Sequence, residues 1–143
     1  MKRKTIAAVA LLVTFYLATP AKAEDMNSLR KLLETGECSG CNLAGANLSG
    51  VHLLGADLRN ANLQGANLVG TNLEGADLTG ANLKNANLTG AFMTNASLDY
   101  ANLTNANLAN AKLYNANTSG AALSGINIQN AEVFGSGLSI GGD

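Results

Sequence analysis

From residue 41 to residue 140 the apolar and polar positions repeat every five residues, through twenty consecutive units without insertion or deletion. Residues 81–90, A-N-L-K-N followed by A-N-L-T-G, set out the unit: small, polar, leucine, a free position, then glycine or asparagine. The central residue is Leu in sixteen of twenty units, with Met93, Thr118, Ile128 and Val133 as the others, so only Thr118 departs from a large apolar side chain. Two residues earlier stands Ala in fifteen units, replaced by Cys41, Val51, Thr71, Ile126 and Ser136. A spacing of two along extended backbone puts both side chains on one side, so leucine and alanine point inward together and the residue between them points out. That outward residue is Asn or Asp in thirteen units, as a solvated position requires.

A period of five suits neither an amphipathic helix nor a plain strand. Three extended residues must be followed by two that turn. The fifth position is Gly or Asn in eighteen units, with Tyr100 and Ile140 as exceptions, and these two residue types supply the positive φ of a type II turn. Four such bends close a square coil of twenty residues. One coil cannot pair its backbone or bury its leucines, but coils stacked at ~4.8 Å do both, and five of them make a rod about 24 Å long. The expected architecture is an all-β quadrilateral solenoid whose core ladders include Leu43, Leu63, Leu83, Leu103 and Leu123.

On these residues, A-N-L or A-D-L at 46–48, 56–58, 61–63, 66–68, 76–78 and onward, the sequence resembles the pentapeptide-repeat proteins. The resemblance implies a right-handed quadrilateral β-helix, here five coils of four pentapeptides behind a short N-terminal capping helix. The match weakens over residues 121–140, where Ala122, Ile126, Glu132 and Gly137 depart from the pattern, so a distorted last coil is expected. The stretch 32–41, L-L-x-T-x-x-C-x-x-C, is similar to that of small exported members of the family, frequent in cyanobacteria. That likeness implies a periplasmic or thylakoid-lumen protein.

The segments outside the repeat divide the chain into 1–23, 24–37, 38–140 and 141–143. Residues 1–23 read as a secretory signal: Lys2, Arg3 and Lys4, an apolar run over 6–18 too short to span a bilayer, and a small-x-small site at Ala21-Lys22-Ala23. No second apolar run follows, so no stable membrane insertion is expected after cleavage. Removing the signal takes four of the nine Lys/Arg and leaves five against ten Asp/Glu, a net charge of −5. That balance argues against nucleic-acid binding.

Residues 24–36 read as a helix with Leu29, Leu32 and Leu33 on one face, Asn27 or Ser28 at its start and Gly36 at its end. Its expected role is to cover the first coil, since a repeat rod exposes its core at an unprotected end. Cys38 and Cys41 fall at a leucine-type and an alanine-type position. Two ligands are too few for structural zinc, Asn42 stands where haem attachment needs His, and the pair follows a helix where a thioredoxin-type site opens one. In an exported chain this leaves a disulfide locking the cap to the first coil, which is the preferred reading, or two small buried residues.

Residues twenty apart share a side of the square. The first two sides carry the outward rows Asn42, Asn62, Asn82, Asn102 and Asn47, Asn67, Asn87, Asn107, Asn127, expected to form structural ladders. The third side gathers His52, Leu54, Phe92, Tyr114 and Phe134, together with Glu74, Lys112 and Glu132, and forms the candidate face for a protein partner centred on Phe92 and Tyr114. The fourth carries Asp57, Arg59, Asp77 and Asp99. Its carboxylates invite the alternative of an acidic rod imitating DNA, as in the gyrase-protecting members of the family. Arg59 interrupts that row and an export signal leads away from gyrase.

The sequence offers no nucleophile–base pair, phosphate loop or metal cluster, so no enzyme, cofactor or metal site is expected. After Leu138 the chain has no helix-forming stretch, and Ile126, Ile128, Val133 and Phe134 leave an apolar end coil. Such an end is expected to pair with a second copy. The reading is an exported, non-catalytic structural or interaction module with an unidentified protein partner.

Overall fold

The computed structural model describes residues 23–138. The signal segment up to residue 22, Ile140 and the tail 141–143 therefore lie outside the described residues. Helix α1 runs Ala23–Thr35, and Gly36 at φ 72° ends it, donating its N–H to the Leu32 carbonyl at 2.9 Å. Asn27 and Ser28 thus sit within the helix and do not cap its start.

Beyond α1 the chain coils with a repeat of twenty residues. Parallel bridges join Glu37 to Asp57, Asn42 to Asn62, Asn47 to Asn67 and His52 to Asn72, and the same offset continues to Lys112 and Glu132. Each flat segment is only three residues long, so among the described residues every bridge is isolated and no longer strand forms. Each unit bonds to the next coil from both edges: Leu43 N–H donates to Asn62 O at 2.7 Å, Asn62 N–H to Cys41 O at 2.8 Å, and Gly45 N–H to Gln64 O at 2.9 Å.

The corners follow from one backbone angle. Every fifth residue from Gly45 to Gly135 has positive φ, whether glycine, asparagine or Tyr100 at 56°. The N–H after each turn donates back to the central residue, as from Ala46 to Leu43 O at 3.0 Å. Positive φ at the second central position alone identifies type II turns.

The interior is a stack of leucines and alanines. Leu43, Leu63, Leu83 and Leu103 are fully enclosed, and each such leucine contributes roughly 1.5–3 kcal/mol of burial. Leu123, the fifth of that ladder, is only partly buried, with no described residue stacked beyond it. Thr118, the polar centre, is buried because its hydroxyl donates to Ser136 O at 2.7 Å. Bridging stops after Glu132 among the described residues, and the Ile126–Leu123 turn bond stretches to 3.4 Å, so the last coil is looser than the others.

At the other end Leu32 is buried against the core and Leu29 packs partly beside it. Leu33 is 53% exposed and does not share their face, contrary to the sequence expectation. A disulfide joins Cys38, fully buried in a leucine slot, to the half-buried Cys41. It spans the first turn of the solenoid and does not tie α1 covalently. The Ser28 carbonyl oxygen of the helix lies 3.2 Å from Cys38 Sγ, a contact without a proton.

Candidate interaction wall

The four walls differ in what their outward residues do. On the first and second walls each outward Asn caps a turn, and some also bond along the stack. Its Oδ1 accepts the N–H two residues on, as from Ala44 to Asn42 at 3.3 Å, Lys84 to Asn82 at 3.2 Å and Ala109 to Asn107 at 3.1 Å. In some of them Nδ2 also donates down the stack, from Asn62 to Asn42 at 3.1 Å, Asn67 to Asn47 at 3.1 Å and Asn127 to Asn107 at 3.0 Å. The first of these bonds is an Asx turn, which holds the amide leading into each corner. Outward Asn and Asp are therefore turn caps as well as solvated residues. The sequence signal for this was present, an Asn or Asp two residues before the capped amide in thirteen of twenty units, but solvation alone accounted for it.

The fourth wall keeps the same device with carboxylates. Asp57 Oδ1 accepts Arg59 N–H at 3.1 Å and Asp77 Oδ1 accepts Thr79 N–H at 3.0 Å. Arg59 folds back onto Asp57, with Nε–Oδ1 at 2.8 Å and Nη2–Oδ2 at 2.6 Å, and lies 3.9 Å from Asp77 Oδ2. That hydrogen-bonded guanidinium holds the Asp57 carboxyl down at about 2, against partial burial, which pushes the other way. Asp99 accepts from Asn117 Nδ2 at 2.8 Å and from Ser119 N–H at 3.1 Å. Among the described residues no group of three or more His, Cys, Asp or Glu is placed to hold a metal ion.

The third wall abandons the pattern. Its middle row is His52, Asn72, Phe92, Lys112 and Glu132, bridged in that order. Only Asn72 caps its turn, accepting Glu74 N–H at 3.0 Å. Among the described residues, His52, Phe92, Lys112 and Glu132 make no such bond, so the amides of Leu54, Thr94, Tyr114 and Phe134 lack this cap. The corner row beside it is Leu54, Glu74, Thr94, Tyr114 and Phe134, aligned by bonds such as Asn95 N–H to Tyr114 O and Asn115 N–H to Phe134 O, both 2.9 Å.

The five residues singled out from the sequence thus share one wall: His52 and Phe92 in the middle row, Leu54, Tyr114 and Phe134 along the corner. Leu54 is 67% exposed, Phe92 43%, Tyr114 37% and Phe134 79%. Lys112 Nζ lies 5.6 Å from the centre of the Phe92 ring, and the Tyr114 hydroxyl donates to Glu132. The wall therefore has an aromatic patch at mid-height with charges of both signs around it. Tyr100, on another corner, is also exposed but belongs to no such row.

The sequence model for pentapeptide repeats matches eight copies, over residues 37–75, 56–95, 76–113 and 93–130. No curated protein matches the chain. Among solved structures, the chain is similar to a pentapeptide repeat protein from the Arabidopsis thaliana thylakoid lumen at 31% identity, covering 67% of this chain and 61% of that one, with a TM-score of 0.38. It is similar to the pentapeptide repeat protein Rfr23 from the cyanobacterium Cyanothece 51142 at 33% identity, covering 76% and 94%, with a TM-score of 0.35. A third likeness is to HetL of Nostoc sp. strain PCC 7120, involved in heterocyst differentiation regulation, at 36% identity over 67% and 50% with a TM-score of 0.31. The chain thus spans less than two thirds of the Arabidopsis protein and half of HetL.

Proposed function

The chain belongs to the pentapeptide-repeat family, and from that premise we propose that it is an exported, non-catalytic module that binds a protein through its third wall. Pentapeptide-repeat proteins form right-handed quadrilateral β-helices, act in general as structural or interaction proteins, and mediate protein contacts. In this reading residues 1–23 direct export and are removed, α1 covers the first coil, and residues 38–140 are the β-helix. The destination is the periplasm or the thylakoid lumen. No helix among the described residues is long and apolar enough to cross a membrane.

The observation that carries the reading is the loss of turn caps at His52, Phe92, Lys112 and Glu132, beside exposed Leu54, Tyr114 and Phe134. Ala122 departs from the cap rule on the first wall and Ser97 and Gly137 on the fourth, whereas four of the five middle positions of the third wall depart from it, and such departures concentrate where a surface has work other than folding. Exposed aromatic side chains are also enriched among the anchors of protein contacts. The rival reading, an acidic rod imitating DNA, is weakened because Arg59 neutralises Asp57 within its own wall. End-to-end pairing through Ile126, Ile128 and Val133 is a second mode of association, favoured by their partial exposure in the last described coil.

The test is affinity capture from the exported fraction with the intact chain and with Phe92→Ser/Tyr114→Ser. The double variant is expected to lose a partner that the parent retains. An unchanged set of captured proteins would end the reading of this wall as the contact.

A further inference from the structure

We propose that the third wall is where two copies of this chain meet, side by side and antiparallel. This rests on reading that wall as the contact surface and names its occupant. The rows supply the argument, because the order of residues along them is complementary to itself in one direction only.

A face-to-face pair of identical walls has its two-fold axis in the contact plane. An axis along the rod would set each coil against the same coil, bringing Lys112 onto Lys112 and Glu132 onto Glu132. Like charges directly opposed destabilise such a contact. An axis across the rod reverses the order of coils and keeps the corner row facing the corner row. Phe92, at mid-height, then meets Phe92 of the second copy. His52 at one end meets Glu132 at the other, an imidazole donor opposite a carboxylate whose second oxygen remains able to accept. Leu54 meets Phe134, the two most exposed apolar side chains of the wall. Lys112 comes beside Glu74 of the second copy, one coil from the centre on the opposite side. Every charged residue of the wall thus gains a partner of suitable chemistry, and the aromatic patch closes on itself.

The wall is about 24 Å tall and roughly 10 Å wide, three extended residues across. That footprint is smaller than the ~800 Å² per partner of a standard interface, so the pair belongs to the weak class and forms at high concentration.

The experiment is sedimentation of the intact chain, its Cys38–Cys41 disulfide preserved, over a wide range from ~10 μM to ~1 mM, chosen to reach weak association. It is joined to mild oxidation of Thr94→Cys. Thr94 stands at mid-height of the corner row, so the antiparallel pair sets residue 94 against itself, and a cross-linked dimer is expected. Lys112→Glu is expected to weaken association at least tenfold, and adding Glu74→Lys to restore it. A chain that stays monomeric throughout overturns the pairing. So does a dimer in which Thr94→Cys never cross-links and Lys112→Glu changes nothing, as an end-to-end pair would behave. If self-association is absent while Phe92→Ser/Tyr114→Ser still removes a captured partner, the pairing fails and the contact wall stands. If neither effect is seen, both fail.

Discussion

The ring of Tyr100 occupies the space above Gly120, one coil further on: a Cβ at residue 120 would come within 2.6 Å of Tyr100 Cδ1 and 2.7 Å of Cε1. Both residues are left-handed, at φ 56° and 67°. The corner tolerates a bulky residue in a conformation meant for glycine or asparagine only because its neighbour has no side chain. Gly120→Ala is therefore expected to destabilise by about 1–3 kcal/mol, from the left-handed backbone and the clash together. Tyr100→Asn is expected to be neutral or stabilising. Urea unfolding of the two variants checks the pair, and a Gly120→Ala chain as stable as the parent would contradict it.

His52 fills a turn-cap position without capping, so His52→Asn restores a missing bond to the Leu54 amide and offers an acceptor to Asn72. The expected gain is about 0.5–1.5 kcal/mol, read as a higher urea midpoint with an unchanged slope. The reverse change on a ladder wall, Asn82→Ala, removes the cap on Lys84 and the bond to Asn62, and is expected to lower stability by a similar amount.

Removing the disulfide by Cys38→Ala/Cys41→Ala opens a loop of only four residues, for which the chain-entropy estimate is roughly 2 kcal/mol. The loss is expected to concentrate at the N-terminal end. Hydrogen exchange should quicken first in α1 and the first coil, with the amides near Leu83 and Leu88 still protected. Uniform loss of protection along the rod would show that the disulfide acts on the whole stack.

Asp57 titrates near 2 when folded and near 3.8 otherwise, so its pairing with Arg59 favours the folded state fully above about pH 4 and is lost as pH falls toward 2. Asp57→Asn keeps the Asx acceptor and deletes only the ion pair. The parent should exceed this variant slightly at pH 7, the effect being small because the pair is exposed, and the two should converge by pH 2. A gap that widens as the pH falls would have the wrong sign.

Much of this was written in the chain. The coil could be read because most units repeat the same instruction, small-polar-leucine-x and then glycine or asparagine, so Leu63 and Leu83 are enclosed by the same local rule. Cys38 and Cys41 obeyed that register too, although their disulfide staples a turn and leaves α1 untied. What escaped were facts set by neighbours. Leu33 fits an amphipathic helix, but the end of a narrow rod accommodates Leu32 and part of Leu29 and leaves Leu33 outside. Leu123 matches Leu103 in sequence and differs only in having no described coil above it. The bond from Asn82 to the Lys84 amide was hidden because an exposed Asn needs no bond to be explained. The gathering of His52, Phe92 and Tyr114 on one wall was legible from the offset of twenty. That their wall has lost its caps was not.

The central claim is that the third wall has exchanged turn caps for contact residues. One variant tests it most directly: His52→Asn/Phe92→Asn/Lys112→Asn/Glu132→Asn, which rewrites the middle row in the pattern of the second wall. Its thermal midpoint and its association, with itself and with captured proteins, are measured on the same preparation. The account predicts a chain that melts at or above the parent and no longer associates. A chain that melts lower and associates as before would contradict it.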